Sequence, residues 1–430
     1  MASDHTLTCY PPQTVERSWL PQLAFTALLL LIFVGLNAFS PPPVAPLAVA
    51  AETSHGDTLR QILYLGTAAL IAFAAIQCRG TGVLRAVPLS MGLLLAWCLA
   101  SALWAPEPGL VLRRAGLEVV IVVSLILSVE TLGPARAFTI WRWLLAAILL
   151  VNFLSIPLIG SARHGAGEID PALVGNWRGL YGHKNIAGAV SAITVILFLF
   201  TCTGRKNWIG IAIALAASIF LAMTHSKSSA GFLVIALMAG LAYRVGWRDG
   251  LSRAILATLV AVIACAGIAF ALLDRDAIAK LLEDPDEFTG RAAIWAAELR
   301  YIAGHPFLGA GFGTFTDSGS HSPLHDTVGG SWVDWVSHGH NGYLQILVTI
   351  GGVGFVLAML AVVISPLRRL WALERRDGAG PMLMALFVFA VLHNFMESDF
   401  LEGDAAGWAG LLLTIAALNA GAGAHSLTRR

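Results

Sequence analysis

Charge is what this sequence has least of. Of its 430 residues only 12% are Asp, Glu, Lys or Arg, 57% are hydrophobic, and mean hydropathy is +0.75. A water-soluble globule needs more charge than this to cover its surface, so that class is excluded. Cysteine is sparse and unpatterned. Cys9, Cys78, Cys98, Cys202 and Cys265 show no C-x-x-C or metal-ligand spacing, and they read as free thiols. The apolar runs also lack ionisable groups: Glu118 is the one clear acidic residue within a span, about a turn from its end. Ion-coupled carriers need titratable groups near the membrane midplane. No internal repeat of the inverted-carrier kind is evident either. Both absences count against a secondary transporter.

What is present is a series of apolar runs of bilayer length. They predict an all-α polytopic membrane protein, a single transmembrane domain over residues 1–430. About twelve transmembrane helices are expected, near 20–39, 61–77, 86–104, 115–132, 138–159, 185–202, 208–224, 229–243, 254–273, 343–365, 381–396 and 405–420. Ala48-Val-Ala50 resembles a signal-peptidase site, but Arg17 is the sole basic residue before the first run and Pro41-Pro42-Pro43 distances the site from it, so that run reads as a retained helix. Placing both termini in the cytoplasm puts 16 of the 27 Lys and Arg on the short inner loops and tails. That basic asymmetry sets the orientation. It leaves a long external loop, 274–342, which is periplasmic in a Gram-negative inner membrane.

The polar groups with chemical potential fall on that outer side. Arg291 opens an expected surface helix with Thr289 as its cap, preceded by Asp286 and Glu287. An Arg at a helix start suits a bound anion, and equally suits a local carboxylate. Arg178 lies among glycines and aromatics, with Lys184 at the start of the next span; both suit an oxyanion, although basic residues at span ends also snorkel to headgroups. Arg113 and Arg114 precede the fourth expected span, and Glu397 lies in the polar stretch His393-Asn394-Phe-Met-Glu397-Ser-Asp399. His340, followed by Asn341 where the loop enters the membrane, is the best-matched proton acceptor near neutral pH, against a purely capping role. His321, His325, His338 and His340 are irregularly spaced for a metal, and no cofactor is called for. Gly309, Gly311 and Gly313 lack the strand–loop–helix setting of a nucleotide loop and read as a tight turn returning the surface helix to the membrane. Gly351-Gly-Val-Gly354 reads as a close helix-packing element. A net charge of +1 averages two opposite faces and selects no partner, and nothing points to nucleic acid.

Three motifs in order carry a resemblance. They are Arg178-Gly179 with His183-Lys184-Asn185; Gly290-Arg291 and Trp295 followed by Pro306, Gly309, Gly311 and Gly313; and His340-Asn341, nine residues, then Gly351-Gly-Val-Gly354. In these the chain resembles the O-antigen ligase/polymerase superfamily, well over about 170–400 and by hydropathy alone before that. The resemblance implies inverting, metal-independent glycosyl transfer from an undecaprenyl-pyrophosphate-linked saccharide to a glycan or lipid acceptor among the membrane lipids. It implies that Arg178 and Arg291 bind the pyrophosphate and that His340 acts as base on, or orients, the acceptor hydroxyl. Lys184, Asn341, Arg113, Arg114 and Glu397 are supporting substrate-binding candidates. The Asn394–Asp399 stretch looks more like exopolysaccharide polymerases, and Phe355-Val stands where ligases often carry Thr-Pro, so polymerisation is the leading reading. Transfer to lipid A–core by a ligase is the alternative. A lipid-linked saccharide flippase is the rival of another class, and a chain-length regulator protein is a partner the polymerase reading allows.

Overall fold

The computed structural model describes residues 19–40, 58–166, 168, 171–201, 207–246, 291–316, 322–328, 339–373 and 378–421. The expected span at 254–273 lies outside these, as do the Ala48–Ala50 site, Cys9, Cys202, Cys265, Asp286, Glu287, Thr289, His321, His338 and much of the 274–342 loop.

The described helices are α1 (Trp19–Phe33), α2 (Thr58–Arg79), α3 (Leu89–Ala100), α4 (Pro108–Leu132), α5 (Pro134–Leu158), α6 (Lys184–Thr201), α7 (Trp208–Thr224) and α8 (Lys227–Gly246). There follow α9 (Arg291–Gly304), α10 (Pro323–Val328), α11 (Gly342–Ala358, running on through a π-helical stretch to Ala372), α12 (Gly380–His393) and α13 (Ala406–Asn419). Among the described residues there is no strand, only an isolated bridge between Arg163 and Trp177. Among the described residues five helices are long and apolar enough to cross a membrane: Thr58–Arg79, Pro108–Leu132, Pro134–Leu158, Lys184–Thr201 and Gly342–Ala372.

Local chemistry sets several boundaries. Gly133, at φ 78°, ends α4, and Pro134 opens α5 in the next residue. Glycine takes the left-handed conformation at low cost, and proline loses nothing at a first helical turn, where its missing N–H has no partner anyway. Pro108 likewise starts α4 earlier than hydropathy alone suggests, so Arg113 and Arg114 lie inside this helix and do not precede it.

One core joins the helices. Trp141 is fully buried between Phe33 and Phe138, at ring distances of 6.1 and 5.4 Å. The buried Trp408 indole donates to Glu118 Oε1 at 2.7 Å, giving one oxygen of this buried carboxyl a partner that apolar packing could not. The outward faces are apolar too: Leu65 and Phe73 on α2, Leu150 and Leu154 on α5, Ile211 and Leu215 on α7 are all exposed. Helices apolar on every side need lipid around them, so this is a membrane protein.

Two elements differ from the sequence reading. The expected surface helix α9 does not lie across the bundle. Trp295 Nε1 donates to the Gly339 carbonyl at 3.0 Å, Glu298 lies against Gly339 and Gln345, and the Pro306 carbonyl just beyond the helix accepts from Gly352 N at 2.8 Å. These contacts advance along α9 and α11 together, so the two helices run side by side in the same direction. The reason is apolar burial: Ile294 and Ala297 of α9 join Val348 of α11, with Ala310, Phe315 and Leu324, in a second small core.

The second difference is in α11. Gly351, at φ 66° and ψ −174°, breaks the helix. The carbonyls freed above it are taken by Ala310 N (from Val348, 2.8 Å), Gly311 N (from Thr349, 2.8 Å) and Trp97 Nε1 (from Ile350, 3.0 Å). The turn expected at Gly309–Gly313 is present, with positive φ at all three glycines, and it is stitched into this break. Thus Gly351 provides close approach to a loop, where close approach to another helix was expected.

Candidate functional site

The beginnings of α6, α9 and α11 meet the connection between α12 and α13. Glu397, in that connection, is the hub. Its Oε1 accepts from Arg291 Nη2 at 2.9 Å and from Asn185 Nδ2 at 2.6 Å, and its Oε2 faces His340 Nδ1 at 3.4 Å. Arg291 also donates through Nη1 to the Met396 carbonyl. Two of the five guanidinium N–H groups are thereby used, which leaves three. Burial pushes the Glu397 carboxyl up, but the His340 hydrogen bond and the charges of Arg291, His340 and His393 outweigh it and hold the group at about 2. An ionised carboxylate can only accept, so Nδ1 of His340 carries the proton and Nε2 is left as a base.

The turn bearing His340 is closely fitted. His340 adopts φ 51° without being glycine, a strained conformation held by its neighbours. Gly342 N donates to the Asn394 and Glu397 carbonyls at 2.8 and 3.0 Å, and a Cβ at residue 342 would overlap the Asn394 side chain. Asn394 Oδ1 accepts from Asp399 N and Phe400 N at 3.0 and 2.8 Å, which fixes the loop carrying Glu397. Beneath it, buried His393 is held by Asp399 Oδ2 at 2.7 Å and Ser229 Oγ at 3.2 Å.

The candidates read from sequence divide by what their side chains touch. Arg291, His340 and Glu397 form one connected chain. Asn341 caps α11, its Oδ1 accepting from Tyr343 N and Leu344 N at 3.0 and 3.1 Å, so its side chain supports the His340 turn. Lys184, half-buried, is the first residue of α6, and its N–H donates to His164 Nε2 at 3.1 Å. Its charge reaches the half-buried His183, as do those of Glu397 and His340. Burial, opposed by Glu397 and reinforced by His164, His340 and Lys184, takes that ring down to about 4. Arg114 donates to the Gly313 carbonyl, pinning the glycine turn, with Arg113 half-buried beside it on α4.

Arg178 departs from expectation. Its guanidinium is 0% exposed and donates to three carbonyls: Ser161 at 2.7 Å, Gly182 at 2.9 Å and Ser40 at 3.0 Å. In this arrangement it ties three loops together. Positive φ at Gly179 turns the chain back so that the Gly182 carbonyl reaches the cation, while the Ser161 and Ser40 carbonyls come from other loops. Arg291's expected partners, Asp286 and Glu287, lie outside the described residues, and the carboxylate that meets it comes from a hundred residues later. Sequence reading left out Asn185 as a Glu397 ligand, Trp295 and Glu298 beneath the turn, and the His164–Glu168 pair (2.7 Å). The Asn185 signal was its place in the first turn of a helix opening on the polar side. Among the described residues no three His, Cys, Asp or Glu side chains gather as a metal site.

Residues 190–359 match the family described as O-antigen ligase. This stretch belongs to the O-antigen ligase/polymerase superfamily. No curated protein matches the chain. The family stretch contains Arg291, His340 and Asn341. Arg178, Lys184 and Asn185 precede it and Glu397 follows it, so the hub carboxylate and its Asn185 donor are contributed from beyond the matched region. The match over this stretch supports a membrane glycosyltransferase of the ligase/polymerase type.

Proposed function

We propose that the protein polymerises an undecaprenyl-pyrophosphate-linked saccharide on the periplasmic face of the inner membrane, inverting the transferred sugar without a metal. The observation that carries this reading is the half-buried Glu397 carboxylate, which accepts from Arg291 Nη2 at 2.9 Å and faces His340 Nδ1 at 3.4 Å. With His340 neutral, as a base must be, the fixed positive charge at this point is the Arg291 guanidinium. A leaving pyrophosphate needs that charge.

In this reading the remaining N–H groups of Arg291 and the ammonium of Lys184 bind the pyrophosphate oxygens. An acceptor hydroxyl stands at His340 Nε2. Its oxygen bonds to the anomeric carbon as the carbon–oxygen bond to pyrophosphate breaks on the opposite side. The proton passes to Nε2, and the electron pair leaves with the pyrophosphate. Positive charge fixed in advance stabilises the group as its charge develops, with little reorganisation. Glu397 holds His340 by its Nδ1–H and Arg291 by its Nη2, so base and cation keep a constant separation. Arg178, Arg113, Arg114 and Asn341 are assigned to shaping the loops around this centre.

The test is the product of purified protein in liposomes given lipid-linked repeat units, with and without lipid A–core. Longer lipid-linked glycans are expected, and no product at all sinks the reading. His340→Ala is expected to lower turnover about a hundredfold or more while the fold is kept, the typical worth of a positioned general base. Arg291→Lys should rescue little of the loss in Arg291→Ala, since an ammonium cannot hold Glu397 and an oxyanion with one planar fork. The description of the matched family favours a second reading, ligation. It uses the same residues and is distinguished by glycan appearing on the lipid A–core.

A further inference from the structure

Below the Arg291–Glu397–His340 chain lies a buried acid with no partner among the described residues. Glu298 is 0% exposed, and neither of its carboxyl oxygens meets a donor there; the neighbouring Gln345 Oε1 is likewise unpartnered among the described residues. Both groups press on the residue before His340: a Cβ at Gly339 would overlap Glu298 Oε1 and lie 2.9 Å from Gln345 Oε1. The placement follows from helix period. Arg291, Trp295 and Glu298 stand at i, i+4 and i+7 on α9, one face of the helix. Arg291 takes Glu397, Trp295 takes the Gly339 carbonyl, and Glu298 lies under the turn.

Three buried acceptor oxygens with no donor form an unstable set. An ionised Glu298 would be a bare charge in an apolar pocket, at a cost of several kcal/mol. One proton resolves this, because a carboxylic acid O–H can donate to the Gln345 oxygen. Burial alone drives the acid's titration well above the ordinary carboxylate range. The elements packed here carry Arg291, Arg300, Tyr301 and His305 on α9, His325 on α10, Tyr343 on α11 and His340 in the turn. Among the described residues none of them adds to that effect.

We propose that Glu298 is a proton-binding positioning residue: as a neutral acid donating to Gln345 Oε1, it supports the Gly339–His340 turn in its working geometry. Ionisation would set a buried negative charge against the Gln345 oxygen, directly beneath a His340 backbone already strained at φ 51°. The protonation stands on the geometry alone. Its consequence for turnover rests on the glycosyl-transfer reading.

Infrared spectroscopy of the full-length protein tests the first part. A protonated-carboxyl band at neutral pH, shifting in deuterium oxide, should be lost in Glu298→Gln. In Gln345→Leu it should move to higher frequency, because the acid has lost its acceptor. If Glu298→Gln removes no such band, or if that variant does not fold and Gln345→Leu leaves the band in place, the proposal is overturned. The second part is read from transfer rate against pH. Wild-type turnover should fall about tenfold per pH unit above the ionisation of Glu298, and Glu298→Gln, neutral at every pH, should abolish the fall. An identical alkaline limb in both proteins overturns the positioning role. Absence of transfer in either protein counts against the glycosyl-transfer reading, and the infrared result then decides Glu298 independently.

Discussion

Glu397 accepts from Arg291 and Asn185 through one oxygen and faces His340 through the other, so a single carboxylate sets the spacing of the groups assigned to the chemistry. Its ionisation is therefore coupled to stability. The folded carboxyl sits at about 2 against an ordinary 4.5. A depressed acid contributes stability that is fully present above the ordinary value and lost as pH falls through the folded one. The shift corresponds to about 3 kcal/mol. Thermal melting followed between about pH 5 and about pH 2 should show wild type losing more stability across this window than Glu397→Gln; parallel curves would refute the coupling. At this scale residue types were legible and partners were not. That Arg291 and His340 were candidates could be read from a cation at a helix start and an imidazole at a membrane entry. That both converge on Glu397 could not, because the contact spans 106 and 57 positions of sequence.

The two paired elements α9 and α11 explain the glycine spacing. Glycines at 309 and 351 are needed where a loop enters a broken helix. A Cβ at Gly351 would overlap the Phe307 carbonyl, and one at Gly309 would lie 2.7 Å from Gly351 N. Gly351→Ala combines that overlap with a left-handed φ, and is expected to cost about 2 kcal/mol or more. A melting midpoint in detergent unchanged by Gly351→Ala would show that the break tolerates a side chain. Gly354→Ala is the useful comparison, since there the backbone has no positive φ and the nearest atoms to the added carbon belong to the Ile350 side chain and not to backbone. Hydropathy located the ends of α6, α7 and α13 to within a residue, because an apolar run bounded by polar residues has few other solutions. It mistook α9, whose composition suits a membrane surface, because its apolar residues meet α11 and the loop after α9 in place of lipid.

Across the whole molecule, the bundle brings the starts of α6, α9 and α11 and the end of α12 together at one end. The proposed orientation puts that end outside the cell. Single cysteines introduced at Arg163 and at Arg79, in a chain freed of its five native cysteines, give a direct check. A membrane-impermeant thiol reagent should label position 163 in intact spheroplasts and position 79 only after permeabilisation; the reverse pattern would invert the topology and remove the periplasmic assignment. The sequence by itself determined the class of protein, most of its helices and the residue types available for chemistry, because solvent preference and helix period are properties of local composition. Only the tertiary structure decided what each cation touches. Arg178 and Arg291 look alike in sequence, yet one is surrounded by carbonyls of its own and neighbouring loops and the other is shared with a distant carboxylate, a difference set by where the backbone folds back and not by the residues beside either one.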